Sequence, residues 1–143
     1  TAKEVQKFNI KPRIAMLSYS NFGSVKGETP TKVQNAVHML RQRYPDMIVD
    51  GDMQANFALN KKLLQENFPF SALCGEPANT FIFPKLSAGN IAYKLLQELG
   101  NAEAIGPVLL GLRKSVHILQ LGSTVREIIN MITIAVVDAQ SKE

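Results

Sequence analysis

The chain has 143 residues, enough for one domain of ordinary size with a real hydrophobic core. Apolar residues make up 45% and charged residues 20%, a balance that excludes an intrinsically disordered chain. The formal charge of +4 comes from scattered basic residues, among them Lys3, Lys7, Lys11, Arg41, Arg43, Lys61, Lys62, Arg113 and Lys114. It is not the dense basic stripe with interleaved aromatics of a nucleic-acid binder, and a small anionic ligand suits it better.

The single cysteine, Cys74, excludes an intrachain disulfide framework and a Cys-rich metal site. Between Leu73 and Gly75 it reads as a small buried residue. The opening TAKEVQKF lacks the apolar segment and cleavage site of a signal peptide. The longest apolar run, residues 128–137, is too short to span a bilayer and contains Asn130. The expectation is a cytoplasmic protein with no membrane and no nucleic-acid partner.

Strands and helices alternate along the chain. Residues 13–19 read as a buried strand that runs out into a Ser/Asn/Gly loop. Thr29 then caps a helix with Pro30 at its first position. Val33, Ala36, Val37, Leu40 and Tyr44 form its core-facing stripe, and Pro45 ends it. Residues 47–49 predict a second short strand, followed by the loop 50–54 and a weaker helix through Leu64. Residues 80–83 predict a third strand. Ser87 caps a helix that aligns Ile91, Ala92, Leu95, Leu96 and Leu99 and stops at Gly100.

Residues 102–112 and 115–120 read as two extended segments, which could pair as an antiparallel hairpin. Thr124 and Glu127 have the spacing of a capping box and open the last helix. That helix is apolar around almost its whole circumference, so it must be buried on several sides. The pattern predicts an α/β domain: a three-layer sandwich with a mostly parallel sheet.

In open α/β sheets, ligands sit where loops leave the carboxyl ends of the strands. Residues 18–24 (SYSNFGS) offer hydroxyls and glycine-freed backbone N–H groups there, suited to phosphate oxygens. Asp50 and Asp52 offer carboxylates to a divalent metal but lack a third ligand, and a turn with a helix cap accounts for them equally well. His38, on a helix, and His117, within a predicted strand, lack the neighbours that would make either catalytic. The residues alone define a ligand-binding α/β domain.

Read as whole segments, the chain resembles the phosphate acetyltransferase and butyryltransferase family. The segments that carry the likeness are PRIAMLSYSNFGS (12–24), PDMIVDGDMQ (45–54), FIFP (81–84), AGNIAYK (88–94) and AEAIGP (102–107), in the family's order and spacing. The ending, VHILQ (116–120) through AVVDAQ (135–140), is similar to the version attached to NADP-dependent malic enzymes.

This resemblance implies a fold shared with isocitrate and isopropylmalate dehydrogenases, with two α/β domains and CoA in the cleft between them. It implies that this chain is the C-terminal part of such a module, and that helix 124–140 packs on an absent first domain or on a partner chain. The implied ligand-binding residues are Ser18, Ser20, Gly23, Ser24, Asp50, Gln54 and Asn90. Acetyl-CoA or phosphate is the implied ligand, and NADP and a divalent metal belong to the parent malic enzyme domain alone. A homo-oligomer is expected.

The departures are specific. Family members that transfer acyl groups carry leucine–serine–arginine–glycine where this chain has Leu119, Gln120, Leu121 and Gly122. The serine hydroxyl and the guanidinium help activate CoA and hold the phosphoryl group, and a nearby aspartate acts as base. Gln120, Leu121 and Glu127 occupy those places here. Leucine for arginine removes a charge-assisted donor set for phosphate. The expectation is a regulatory acyl-CoA-binding module without acetyl transfer; the alternative is an active acyltransferase with an altered site.

Overall fold

The computed structural model describes residues 1–100 and 102–141. Helix α1 covers Ala2–Gln6, strand β1 Ile14–Leu17, helix α2 Glu28–Arg43 and strand β2 Val49–Met53. Helices α3 (Ala55–Leu59) and α4 (Lys61–Asn67) follow, then β3 (Thr80–Ile82), α5 (Leu86–Leu99) and α6 (Val125–Gln140). The described residues form one three-stranded parallel sheet in the order β2-β1-β3, with Ile14 opposite both Val49 and Thr80. The expected α/β class with parallel pairing is therefore present.

Helix α2 packs on β2 and β1. Its predicted stripe is graded: Val33 and Val37 are buried, Ala36 and Leu40 half-buried, and Tyr44 exposed beyond the helix end. A second body of core joins Ala15, Leu17 and Met53 of the strands to Ala58, Leu64, Leu73 and Ala78. Phe22, Phe57 and Phe68 pack against it, with Phe70 edge-on to Phe22 at 5.0 Å between ring centroids.

Several boundaries differ from the sequence expectation. The α2 cap is Gly27, not Thr29, and Pro30 lies inside the first turn, where its missing N–H has no helical acceptor to lose. A Cβ on Gly27 would run into the Tyr19 hydroxyl, so the helix entry is shaped by close packing instead of a hydroxyl cap. Helix α5 starts at Leu86, before Ser87, and ends at Gly100 as expected. The helix predicted through Leu64 is two short ones, broken at Asn60, whose Oδ1 accepts from the Leu63 N–H at 3.0 Å.

Strand β2 takes up residues 50–53 of the predicted loop 50–54, so Asp50 and Asp52 are strand residues and both are buried. Alternation of hydropathy hides such a strand because its polar side chains are buried against donors distant in sequence.

The antiparallel hairpin does not form. Residues 102–120 carry no strand, and His117 is not in one. Gly106 (φ 143°) and Gly111 (φ 84°) break the extended conformation, and Pro107 has no N–H to give a ladder. Helix α6 opens with the predicted capping box: the Glu127 N–H donates to Thr124 Oγ1 at 3.2 Å, and the Thr124 N–H to Glu127 Oε2 at 2.7 Å. Only Met131 and Asp138 of α6 are buried, and α5 has no buried residue. No described helix is long and apolar enough to cross a membrane.

Candidate functional site

Because the three strands are parallel, their carboxyl ends share one edge of the sheet. The loop 18–24 leaves β1 there, Gln54 follows β2, and the start of α5 follows β3. The organising residue at this edge is Asp52, fully buried. Its Oδ1 accepts from the Gly23 N–H and from Gln34 Nε2, both at 3.0 Å, and its Oδ2 from the Ser18 hydroxyl at 3.3 Å. Its carbonyl accepts from the Phe22 N–H at 2.7 Å. Gln54 adds a second tie: its N–H donates to Asn21 Oδ1 at 2.8 Å and its Nε2 to the Tyr19 carbonyl at 2.9 Å.

The structure thus brings Ser18, Ser20, Gly23, Ser24 and Gln54 together, and it uses their donors within the fold. The Ser20 N–H donates to Ser18 Oγ, the Asn21 N–H to Ser24 Oγ, the Ser24 N–H to the Asn21 carbonyl and the Val25 N–H to Ser20 Oγ. With Phe22 and Gly23 bound to Asp52, every backbone N–H from Ser20 to Val25 has an internal acceptor. The expected cradle of free N–H groups for phosphate is absent, since serine hydroxyls, the carbonyls of Asn21 and Asp52 and the buried Asp52 carboxylate take those donors. The loop presents shape and the exposed Gly23 and Ser24.

Asp50 points elsewhere. Its Oδ1 accepts from Arg41 and from the Gly51 N–H, its Oδ2 from the Ser71 hydroxyl and the Ala72 N–H, the last three at 2.8 Å. Four donors saturate a buried carboxylate and tie α2 and the 71–72 turn to β2. Among the described residues no group of three His, Cys, Asp or Glu gathers around either aspartate. Asn90 lies exposed in α5, the helix that follows β3, and makes no hydrogen bond to the β1 loop among the described residues.

A second constellation lies between α5, the 104–123 segment and the start of α6. Gln120, Ser123 and Glu127 line a depression of about 170 Å³ together with Tyr93, Lys94 and Gln97. Leu121 is fully exposed. The Glu127 carboxyl is held below its usual range, first by the Thr124 N–H, then by the Thr124 hydroxyl, with the Lys94 charge a smaller contributor.

Elsewhere, His38 is exposed and pairs with Gln42 at 2.8 Å. The half-buried Cys74 thiol donates to the Phe68 carbonyl. His117 has a buried side chain: Nε2 lies 3.2 Å from Ser115 Oγ and 3.7 Å from Asp138 Oδ2. Sequence reasoning missed the roles of Asp52, Gln34 and Asp138, each of which acts through partners far away in the chain. The closely spaced Asp50-Gly51-Asp52 was the one visible signal.

The geometry defines a parallel α/β domain with a ligand-type edge and a polar depression beside its last helix. Two solved structures share it over nearly all of this chain. The phosphotransacetylase from Streptococcus pyogenes matches with a TM-score of 0.90 at 40% identity, over 99% of this chain and 43% of that one. The EutD phosphotransacetylase from Staphylococcus aureus gives 0.89 at 39% identity, over 96% and 43%. Among curated relatives, the NADP-dependent malic enzyme of Haemophilus influenzae is 42% identical over 99% of this chain and 18% of its own length. The phosphate acetyltransferase of Clostridium acetobutylicum is 40% identical over 98% of this chain and 42% of its own. The chain thus spans less than half the length of these relatives. Residues 1–136 match the phosphate acetyl/butaryl transferase family, and the chain belongs to that family.

Proposed function

We propose that the chain is the regulatory acyl-CoA-binding part of a bacterial malic enzyme and does not itself transfer acyl groups. The observation that carries this reading is the state of positions 120, 121 and 127. Leu121 projects a side chain with no donor into solvent. Gln120 has no hydroxyl to offer, and the Glu127 carboxylate is bound into the α6 cap. A preorganised donor aimed at the transferring group is commonly worth on the order of 3 kcal/mol, and here it is missing. The similarity to malic enzymes supports the parent assignment. In this reading acetyl-CoA is the effector, docking at the carboxyl edge beside Ser18, Ser20, Gly23, Ser24, Gln54 and Asn90. NADP and a divalent metal act only in the malic enzyme domain, and the fold is a partial module of the isocitrate dehydrogenase type.

The second reading, an active phosphate acetyl/butyryltransferase, has the comparable identity to phosphate acetyltransferases in its favour. One assay separates the two. The full-length protein is tested for acetyl phosphate formation from acetyl-CoA and phosphate, beside a Gln120→Ser, Leu121→Arg double variant. Background turnover by the unaltered protein, with malate oxidation that responds to acetyl-CoA, is expected. Robust turnover by the unaltered protein overturns the regulatory reading.

A further inference from the structure

The two buried residues of α6 lie at different stations along the helix. Met131 lines the depression shared with α5, where it and Glu127 stand across from Tyr93 and Lys94. Asp138 follows roughly two turns later. Its Oδ1 takes Lys7 Nζ at 2.7 Å, and Lys7 in turn holds Glu4 of α1 at 2.7 Å. The Ser115 hydroxyl donates to the Ala135 carbonyl at 2.9 Å, so it meets His117 Nε2 as an acceptor. Nε2 therefore carries a hydrogen, with Asp138 Oδ2 3.7 Å from the same nitrogen. Asp138 is thus a junction of α6, α1 and the 115–117 segment, while the opposite end of α6 belongs to the depression.

We propose that α6 is a relay that makes the grip of Asp138 on α1 depend on occupancy of the acyl-CoA site. The relay rests on the reading proposed above for its effector, and it names how that effector acts. In that reading acyl-CoA bears on α5 at Asn90, and Tyr93 and Lys94 stand about one turn further along the same helix. No described residue of α5 is buried and only two of α6 are, so both helices lie at the weakly held end of the fold. A ligand that orders α5 also orders the wall of α6 facing it, and Asp138 is then already fixed when Lys7 meets it. The polar ties of α6 run to Glu103, through Asn130 and Arg126, and to Ser115, His117 and Lys7. A change in how firmly α6 is held is therefore felt at α1, where in the same reading the rest of the parent joins.

The test is amide exchange on the full-length protein with and without acetyl-CoA. Exchange of the α1 amides should slow about fivefold on binding, the low end of ordinary coupling between sites. Coupling of binding free energies is reciprocal, so Lys7→Met should remove the slowing and weaken acetyl-CoA binding by the same factor. That variant should keep its basal malate oxidation and lose the response to acetyl-CoA. Lys7→Arg, whose guanidinium can still pair with Asp138, should retain the response. A Lys62→Met control, which touches only the exposed pair with Glu66, should behave as the unaltered protein does. Acetyl-CoA binding that leaves α1 exchange unchanged, or an undiminished response in Lys7→Met, would overturn the relay while the acyl-CoA reading stands. A full-length protein that binds no acetyl-CoA would overturn that reading, and the relay with it.

Discussion

Asp52 is buried among donors from two stretches of chain: Ser18, Gly23 and, through the Asp52 carbonyl, Phe22 of the β1 loop, and Gln34 of α2. Removing its carboxylate strands the Gly23 N–H and the Gln34 amide, and an orphaned buried donor costs about 1–3 kcal/mol. Asp52→Ala should therefore lose about 3 kcal/mol in urea unfolding, with Asp52→Asn losing less because its amide oxygen still accepts. Equal stability of Asp52→Ala and the native protein would remove it from the organising role. Glu127 gives a pH signature at the same scale. Its folded pKa lies below the ordinary value of 4.5, so the stability it adds is complete above that value and is lost as pH falls through the depressed one. The difference in α6 helicity between the native protein and Glu127→Gln should be constant above about pH 5 and shrink toward pH 3 by circular dichroism. The loop residues of the site were legible because Ser, Asn and Gly cluster after an apolar run. Asp52 was not, since its meaning lies in donors 18 to 34 residues away.

Among the elements, α2 and α6 could be read directly: periodic apolar residues mark the first, and Thr124 with Glu127 marks the start of the second. β2 was legible only at its beginning, because Asp50 and Asp52 interrupt the apolar pattern and the distant donors that permit this leave no local trace. Residues 102–120 look extended by composition, yet a strand exists only where a neighbour supplies its ladder, and pairing is not written in one segment. The α1–α6 contact is equally non-local. Lys7 Nζ reaches Asp138 Oδ1 and Glu4 Oε2, each at 2.7 Å, and His117 lies on the other oxygen of Asp138. The Lys7 pKa is raised above 10.5, chiefly by its hydrogen bond to Asp138 and then by that to Glu4. A raised lysine pKa means stability present in full below 10.5 and lost as pH climbs through the folded value. Amide exchange of α1 should therefore accelerate at strongly alkaline pH beyond the chemical rate in the native protein. Lys7→Met should be fast already at neutral pH and show no further alkaline step. Protection of α1 unchanged by Lys7→Met would mean that this clasp does not hold it.

At the scale of the whole molecule, the described fold leaves its most apolar helices uncovered. On α5, Leu86 is 88% exposed and Leu99 83%, with Ile91, Leu95 and Leu96 exposed between them. On α6, Val125 is 74% exposed, and Ile129, Ile132 and Val136 continue the stripe. The polar clasp at Asp138 and the buried Met131 account for how α6 is held, and they leave this face free. At about 25 cal/mol for each Å² withdrawn from water, a stripe of this length favours a covering surface. A second copy of the chain is the simplest one, since a patch can meet its own image across a two-fold axis or two chains can exchange α6. Sedimentation of the protein should show a concentration-dependent dimer. Ile132→Glu with Val136→Glu should shift it to monomer without loss of helix, because both side chains already face solvent within one protomer. A monodisperse monomer at all concentrations, with Ile132 and Val136 reactive or exchangeable throughout, would show that α6 tolerates water on this face and would sink the self-association argument.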